Sequence, residues 1–179
     1  MQLKNILGFY PRNIRLYKLA LMHKSVAYYE RERIRDGRKN VQVQKGIALV
    51  EPSKEQKRKE KSNFNRTLEM NNERLEFLGD AMLGAIVADI LYKHYGNKQE
   101  GFLTSLRSKI VCRKTLNKLA VDLGLDKFIL HTGAVTTDHN SYMNGNAFEA
   151  FFGAIYLDRG YNYCYKFLQE KVFTRLINI

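Results

Sequence analysis

Apolar residues recur along this chain at spacings of three and four, the period of an amphipathic helix rather than of a strand. The clearest stretch is Asn72–Tyr95. Within it Glu73, Glu76 and Asp80 stand at i, i+3 and i+7 and share one narrow stripe. Leu75, Leu78 and Met82 fall on the opposite side and are expected to face a core. Either Asn71 or Asn72 is placed to cap the first free amides, and Gly96 is a natural stop. Upstream, Leu3–Gly8 and Asn13–Lys24 read as two short helices broken at Pro11. Asn13 is the expected N-cap of the second, whose apolar side is Ile14, Tyr17, Leu21 and either Lys18 or Met22. Downstream, Gln99-Glu100-Gly101 predicts a turn, and Thr104 or Ser105 the start of a helix through Val111. Arg113–Leu123 predicts another, with Leu116, Leu119 and Leu123 as its stripe and Gly124 as its end. Asp126–Asn140 reads as a polar connection around Phe128, Ile129 and Leu130. Asn144–Tyr161 is the next strong pattern, opened at Gly145 and closed at Gly160, with Phe151, Phe152, Ile155 and Tyr156 apolar. A last helix, Tyr161–Leu176, carries Phe167, Leu168, Val172 and Leu176.

Residues 28–70 break this rhythm. Arg31, Arg33, Arg35, Arg38 and Lys39 open the segment, and Lys54, Lys57, Arg58, Lys59 and Lys61 crowd its later part. Val41–Val50 alternates weakly and predicts a short strand pair around Gly46; Ser53 with Gln56 resembles a capping box, so Ser53–Lys61 predicts an exposed helix. The segment reads as a basic insertion after the second helix, either an auxiliary phosphate-binding arm or a solvated excursion. Outside it there is little strand signal, so the fold class is all-α.

Length and charge sharpen the picture. A chain of 179 residues is enough for one domain with a proper core. Thirty Lys and Arg against 18 Asp and Glu leave a net charge of +12, which points to an anionic partner, nucleic acid first and an acidic membrane surface second. The longest apolar run, Ala81–Ala88, ends at Asp89 and falls well short of the ~18 residues that span a bilayer. Met1–Tyr10 lacks the apolar run of a signal peptide. Cys112 and Cys164 have no metal-ligand spacing and are expected to be reduced, buried, small apolar residues. The expected setting is cytoplasmic, with no membrane partner. The chain stops at Ile177-Asn178-Ile179 without a helix-stop signal, so a longer parent protein is expected.

Candidate chemistry centres on the acidic stripe. Three carboxylates on one face repel unless something cationic sits among them. A divalent metal answers that need, since hard cations take carboxylate oxygens; the ordinary alternative is a solvated acidic face in the first turns of a helix. On the later helix Asn146 and Glu149, at i and i+3, point the same way. His23 and Ser25 do not make a nucleophilic triad, because no third partner has suitable spacing; His23 is expected to be structural.

Glu73-Arg74-Leu75-Glu76-Phe77-Leu78-Gly79-Asp80-Ala81 closely resembles the signature of the ribonuclease III family. Leu21–Ser25 resembles the family's N-terminal His-x-Ser element, Glu100–Arg107 its middle motif, and Phe148–Asp158 its second acidic motif. The four lie in the family's order and together cover nearly the whole chain except the insertion. The resemblance implies an endonuclease domain over 1–179, with the 28–70 insertion and without a double-stranded-RNA-binding domain in the chain. It implies cleavage of double-stranded RNA in RNA processing, rRNA included, to 5′-phosphate and 3′-hydroxyl ends with short 3′ overhangs. It further implies a homodimer with two Mg²⁺-dependent sites, Mn²⁺ being a substitute. By residue matching Glu76, Asp80 and Glu149 are metal-holding catalytic acids, and Asn146 stands at a fourth metal position. Glu73 and Glu100 match accessory acids near the cut. Phe77 matches the residue that plugs into the partner subunit, against the alternative of ordinary core packing.

One position departs from the family pattern: Asn146 stands where the family usually has Asp. An amide oxygen still ligates a hard cation but brings no charge. The site therefore either works at higher Mg²⁺, the favoured reading, or is damaged, which leaves a catalytically weak or silent RNA-binding homologue. No aromatic stacking signature for single strands is visible. Without a separate RNA-binding domain, RNA binding is expected to be weak and salt-sensitive.

Overall fold

The structure, a computed structural model, describes residues 2–28, 32, 71–132 and 137–176. Among these the chain is helical, as the apolar spacing predicts: α1 (Gln2–Leu7), α2 (Ile14–Ala20), α3 (Glu73–His94), α4 (Glu100–Ile110), α5 (Arg113–Asp122), a 3₁₀ turn (Asp126–Phe128), α6 (Thr137–Arg159), α7 (Tyr161–Phe167), a π-helical stretch (Leu168–Phe173) and α8 (Thr174–Leu176). A lone parallel bridge joins Met22 to Leu130, and there is no strand among the described residues. The strand pair around Gly46 and the helix Ser53–Lys61 expected in the insertion lie outside the described residues.

The molecule is built on the packing of α3 against α6, its most extensive helix pair, with α5 and α2 also laid on α6. Leu83, Ile86, Val87 and Ile90 of α3 and Phe148, Phe151, Phe152 and Ile155 of α6 are buried in one core. Tyr17 of α2 meets Phe151 edge to face at 5.5 Å. Asp158, near the end of α6, locks the N-terminal segment on. It accepts hydrogen bonds from the backbone amides of Arg12 (3.0 Å) and Asn13 (2.7 Å) and from the Tyr17 hydroxyl (2.9 Å). Asn13 also caps α2 as expected, its side chain accepting from the Arg15 amide. Ile14, expected on the apolar side of α2, is instead exposed, because Tyr17 and Ala20 turn inward.

Two helices begin earlier than the sequence suggests. The turn predicted at Gln99–Gly101 is the first turn of α4. Gln99 is extended, its carbonyl accepts from the Phe102 and Leu103 amides, and Thr104 donates to Glu100 (2.6 Å) instead of capping. Likewise α6 starts at Thr137 rather than Asn144, so the end of the expected polar connection is helical. In α3 the core side runs through Leu75, Gly79 and Leu83, while Leu78 and Met82 are only half-buried. Cys164 is buried as expected, but Cys112 is exposed. It stands at the N-cap position of α5 without a side-chain cap bond, its Sγ 3.3 Å from the Thr115 hydroxyl.

Candidate active site

The site starts from two glycines. Where α3 crosses α6, a Cβ on Gly79 would run into the carbonyl oxygen of Glu149, and one on Gly153 would come within 2.5 Å of the carbonyl oxygen of Leu75. Only residues without a side chain let two backbones meet this closely. The contact sets Glu149 directly against the residue before Asp80, so acids from two helices face one space.

That space is an open pocket of about 450 Å³. Glu73, Glu76 and Asp80 line it from α3, and Asn146 and Glu149 from α6. Asn71, not Asn72, supplies the side-chain cap at the entry to α3: its Oδ1 accepts from the Glu73 amide and its Nδ2 donates to the Glu73 carboxylate, both at 3.0 Å. Asn72 is buried and donates instead to the Ala20 carbonyl (3.2 Å), while its own amide bonds the Met22 carbonyl (2.9 Å). The segment 21–23 is thus held between α3 and Leu130, which brings His23 and Lys24 to the pocket wall. His23 is within 3.0 Å of the Ser25 hydroxyl, and that hydroxyl accepts from the Thr132 amide (3.2 Å). The pair serves to tie the segment down, in keeping with the structural role expected of His23.

The electrostatics are those of a site short of positive charge. Burial, then the charges of Asp80 and Glu76, push the Glu149 carboxyl up to about 7; Arg113 acts in the other direction. Glu76 is also raised, first by burial and then by Glu73, against the opposing influence of Lys24, Arg113 and a hydrogen bond from Asn146. Lys24 pairs with Glu73 at 3.7 Å across an exposed surface, a contact of little energetic weight. The acids share the pocket without closing on a common point. Among the described residues no three His, Cys, Asp or Glu side chains stand in ready metal-ligating geometry.

Of the residues singled out in the sequence, Glu73, Glu76, Asp80, Asn146 and Glu149 come together, with Phe77 on the pocket wall and 80% exposed. Core packing is therefore not the role of Phe77. Glu100 stands apart. It opens α4 and lines a second pocket, of about 360 Å³, with Asp89, Tyr92 and Arg107. Sequence reasoning missed Lys24 and Arg113 as pocket residues. Lys24 had a signal, being next to His23 in a motif already noted. Arg113 had none, since no spacing links the start of α5 to the acids of α3 and α6.

Comparison with known proteins bears on this site. A family profile described as "Ribonuclease-III-like" matches residues 53–176. The Ribonuclease 3 of Bacteroides fragilis is 51% identical over 174 residues, 97% of this chain and 48% of its own length. That of Flavobacterium psychrophilum is 38% identical over 178 residues, 99% of this chain and 58% of its own. The chain thus spans about half the length of the curated relatives it matches. Among solved structures, the nuclease domain of ribonuclease III from Campylobacter jejuni superposes with a TM-score of 0.69 at 25% identity, covering 99% of this chain and 96% of that one. A second structure of that domain, with the same TM-score, is described as flexible in a region involved in dimer formation.

Proposed function

This chain belongs to the ribonuclease-III-like family, and on that footing we propose that it is the endonuclease domain of a Mg²⁺-dependent enzyme that cuts double-stranded RNA. The products are 5′-phosphate and 3′-hydroxyl ends with short 3′ overhangs, and the setting is cytoplasmic RNA processing. The observation that supports this most is the delivery of Glu76 and Asp80 from one helix, and Asn146 and Glu149 from another, to one pocket.

The donor set suits Mg²⁺, with three carboxylates and one amide that all offer hard oxygen ligands. Glu76, Asp80 and Glu149 would hold the ion, and Asn146 would lend a neutral oxygen. Asn146 also helps hold Glu76 in its charged form, the form that ligates a hard cation. Glu149, raised to about 7 by burial and the neighbouring acids, would give up its proton to hold a cation. Bound Mg²⁺ supplies charge neutralisation and Lewis acidity at the phosphodiester. Without that neutralisation the carboxylates would repel an RNA backbone. Basic side chains elsewhere on a chain of net charge +12 hold the duplex by its phosphates, and A-form RNA is read largely by shape and by its 2′-hydroxyls. Glu73 is an accessory acid of this pocket, Glu100 lies outside it in a pocket of its own, and Phe77 is the plug of a homodimer.

The test is cleavage of a long RNA duplex across a Mg²⁺ titration, with the fold checked by circular dichroism. Cutting that depends on Mg²⁺ is expected; a folded protein that cuts at no Mg²⁺ concentration would refute the proposal. A second reading, a silent RNA-binding homologue, draws support from Asn146, which brings one charge fewer than Asp. Asn146→Asp separates the two. If the site works as it stands, the substitution lowers the half-saturating Mg²⁺ several-fold and changes the maximal rate little. If the site is silent, only the substituted protein cuts.

A further inference from the structure

Arg113 is a pocket residue that the proposed chemistry does not use. It begins α5 and reaches the acidic pocket from a third helix. Its place follows from how α5 docks on α6. The Gly145 amide donates to Asn117 Oδ1 at 2.7 Å, and a Cβ on Gly145 would come within 2.9 Å of that oxygen, so the two helices are held close there. One turn back from Asn117 is Arg113, and one turn back from Gly145 is Tyr142. These two meet, with the guanidinium carbon 4.6 Å from the centre of the Tyr142 ring. Tyr142 lies one turn before Asn146 on the same helix.

Three features make this arrangement more than a surface contact. The side chain is exposed at the pocket wall rather than sealed under it. Among the described residues it makes no ion pair within bonding distance, whereas the other pocket cation, Lys24, is paired with Glu73. A guanidinium over an aromatic face also leaves N–H groups to donate elsewhere. Its fork of donors matches two phosphate oxygens at once, as a lysine ammonium does not. A cation seated over an aromatic ring, beside acids that must meet an anionic strand, fits a backbone phosphate.

We propose that Arg113, stacked on Tyr142, is a substrate-binding residue that grips a backbone phosphate of the RNA strand entering the acidic pocket. The inference rests on the nuclease reading and adds to it a named contact. The rival role for Arg113 is as a resident counter-charge to Glu76 and Glu149, without touching RNA.

The test uses a labelled RNA duplex and the full chain. Binding is measured by fluorescence anisotropy over a range of salt, in a Glu149→Gln background so that nothing is cut; KM and kcat are measured in the otherwise native protein. Arg113→Ala is expected to weaken binding about 5- to 10-fold and to reduce the slope of log affinity against log salt by about 1, as loss of one phosphate contact does. The loss falls on KM more than on kcat. Arg113→Lys keeps the salt slope and recovers part of the affinity. Tyr142→Ala weakens binding less than Arg113→Ala, with the slope nearly kept. Thermal melts of the variants verify folding. Unchanged affinity and salt slope in Arg113→Ala overturns the inference, as does a loss confined to kcat with a raised Mg²⁺ requirement, which identifies the counter-charge role. If the unsubstituted chain neither binds nor cuts duplex RNA, the nuclease reading itself fails, and that result is distinct from either.

Discussion

Glu149 is the residue on which the site's charge balance turns. It is raised to about 7 by burial and by Asp80 and Glu76, so its protonated form is favoured below that pH. A carboxyl whose folded pKa lies above its ordinary value adds stability that is fully present below that ordinary value and is lost as pH rises through about 7. Glu149→Gln mimics the protonated form. In metal-free buffer it is therefore expected to raise the melting temperature near pH 8 and to leave it nearly unchanged near pH 4. Added Mg²⁺ should reverse the comparison at the higher pH by stabilising only the native protein. Differential scanning fluorimetry at both pH values reads this, and an equal effect of the substitution at both would contradict it. Asn146 belongs to the same balance. As an amide it donates to Glu76, whereas a carboxylate there would add another repelling charge.

At the scale of elements, the crossing of α3 and α6 does the positioning. Gly79→Ala places a methyl group on the Glu149 carbonyl, so the helices must separate. A destabilisation of about 3 kcal/mol or more is expected, at the upper end of what overpacking does. Gly84→Ala, in the same helix, meets nothing within 4 Å and is expected to be neutral or stabilising by up to about 1 kcal/mol. Urea unfolding of the two variants makes the comparison, and equal stabilities would remove the crossing from the account. Much of this level was legible from sequence. The period of 3.6 put Glu73, Glu76 and Asp80 on one stripe, and the i, i+3 spacing paired Asn146 with Glu149. The start of α6 was not legible, because its first turns lack an apolar period and Gly145 looks like an opening. In place of a helix breaker, Gly145 is a docking point for Asn117. The start of α4 was hidden by Thr104 and Ser105, which look like caps but lie inside the helix. The helical period puts Leu78 and Met82 on the core side, yet the buried side is decided by where α6 comes closest, at Gly79. Arg113 meets the acids only through helix docking, which no local pattern encodes.

For the molecule as a whole, the contrast is between a chain of net charge +12 and a pocket walled by acids. The large exposed ring of Phe77 lies beside that pocket, where a solvated phenylalanine is unfavourable and a partner subunit would cover it. Phe77→Ala is expected to weaken self-association at least about 10-fold, on the scale of losing one aromatic anchor from an interface, while the melting curve of the isolated subunit stays in place. Sedimentation velocity over a dilution series measures it. A chain that stays monomeric with Phe77 intact, or a dimer indifferent to the substitution, would count against the plug.

Nothing probes the arrangement as a whole so squarely as the location of a bound cation. Crystals soaked in Mn²⁺ and measured at its absorption edge are expected to show anomalous density within ligand distance of Glu76, Asp80 and Glu149, with the Asn146 oxygen turned toward it. A saturated soak that leaves those acids without density, or that places Mn²⁺ elsewhere on the molecule, would contradict the account.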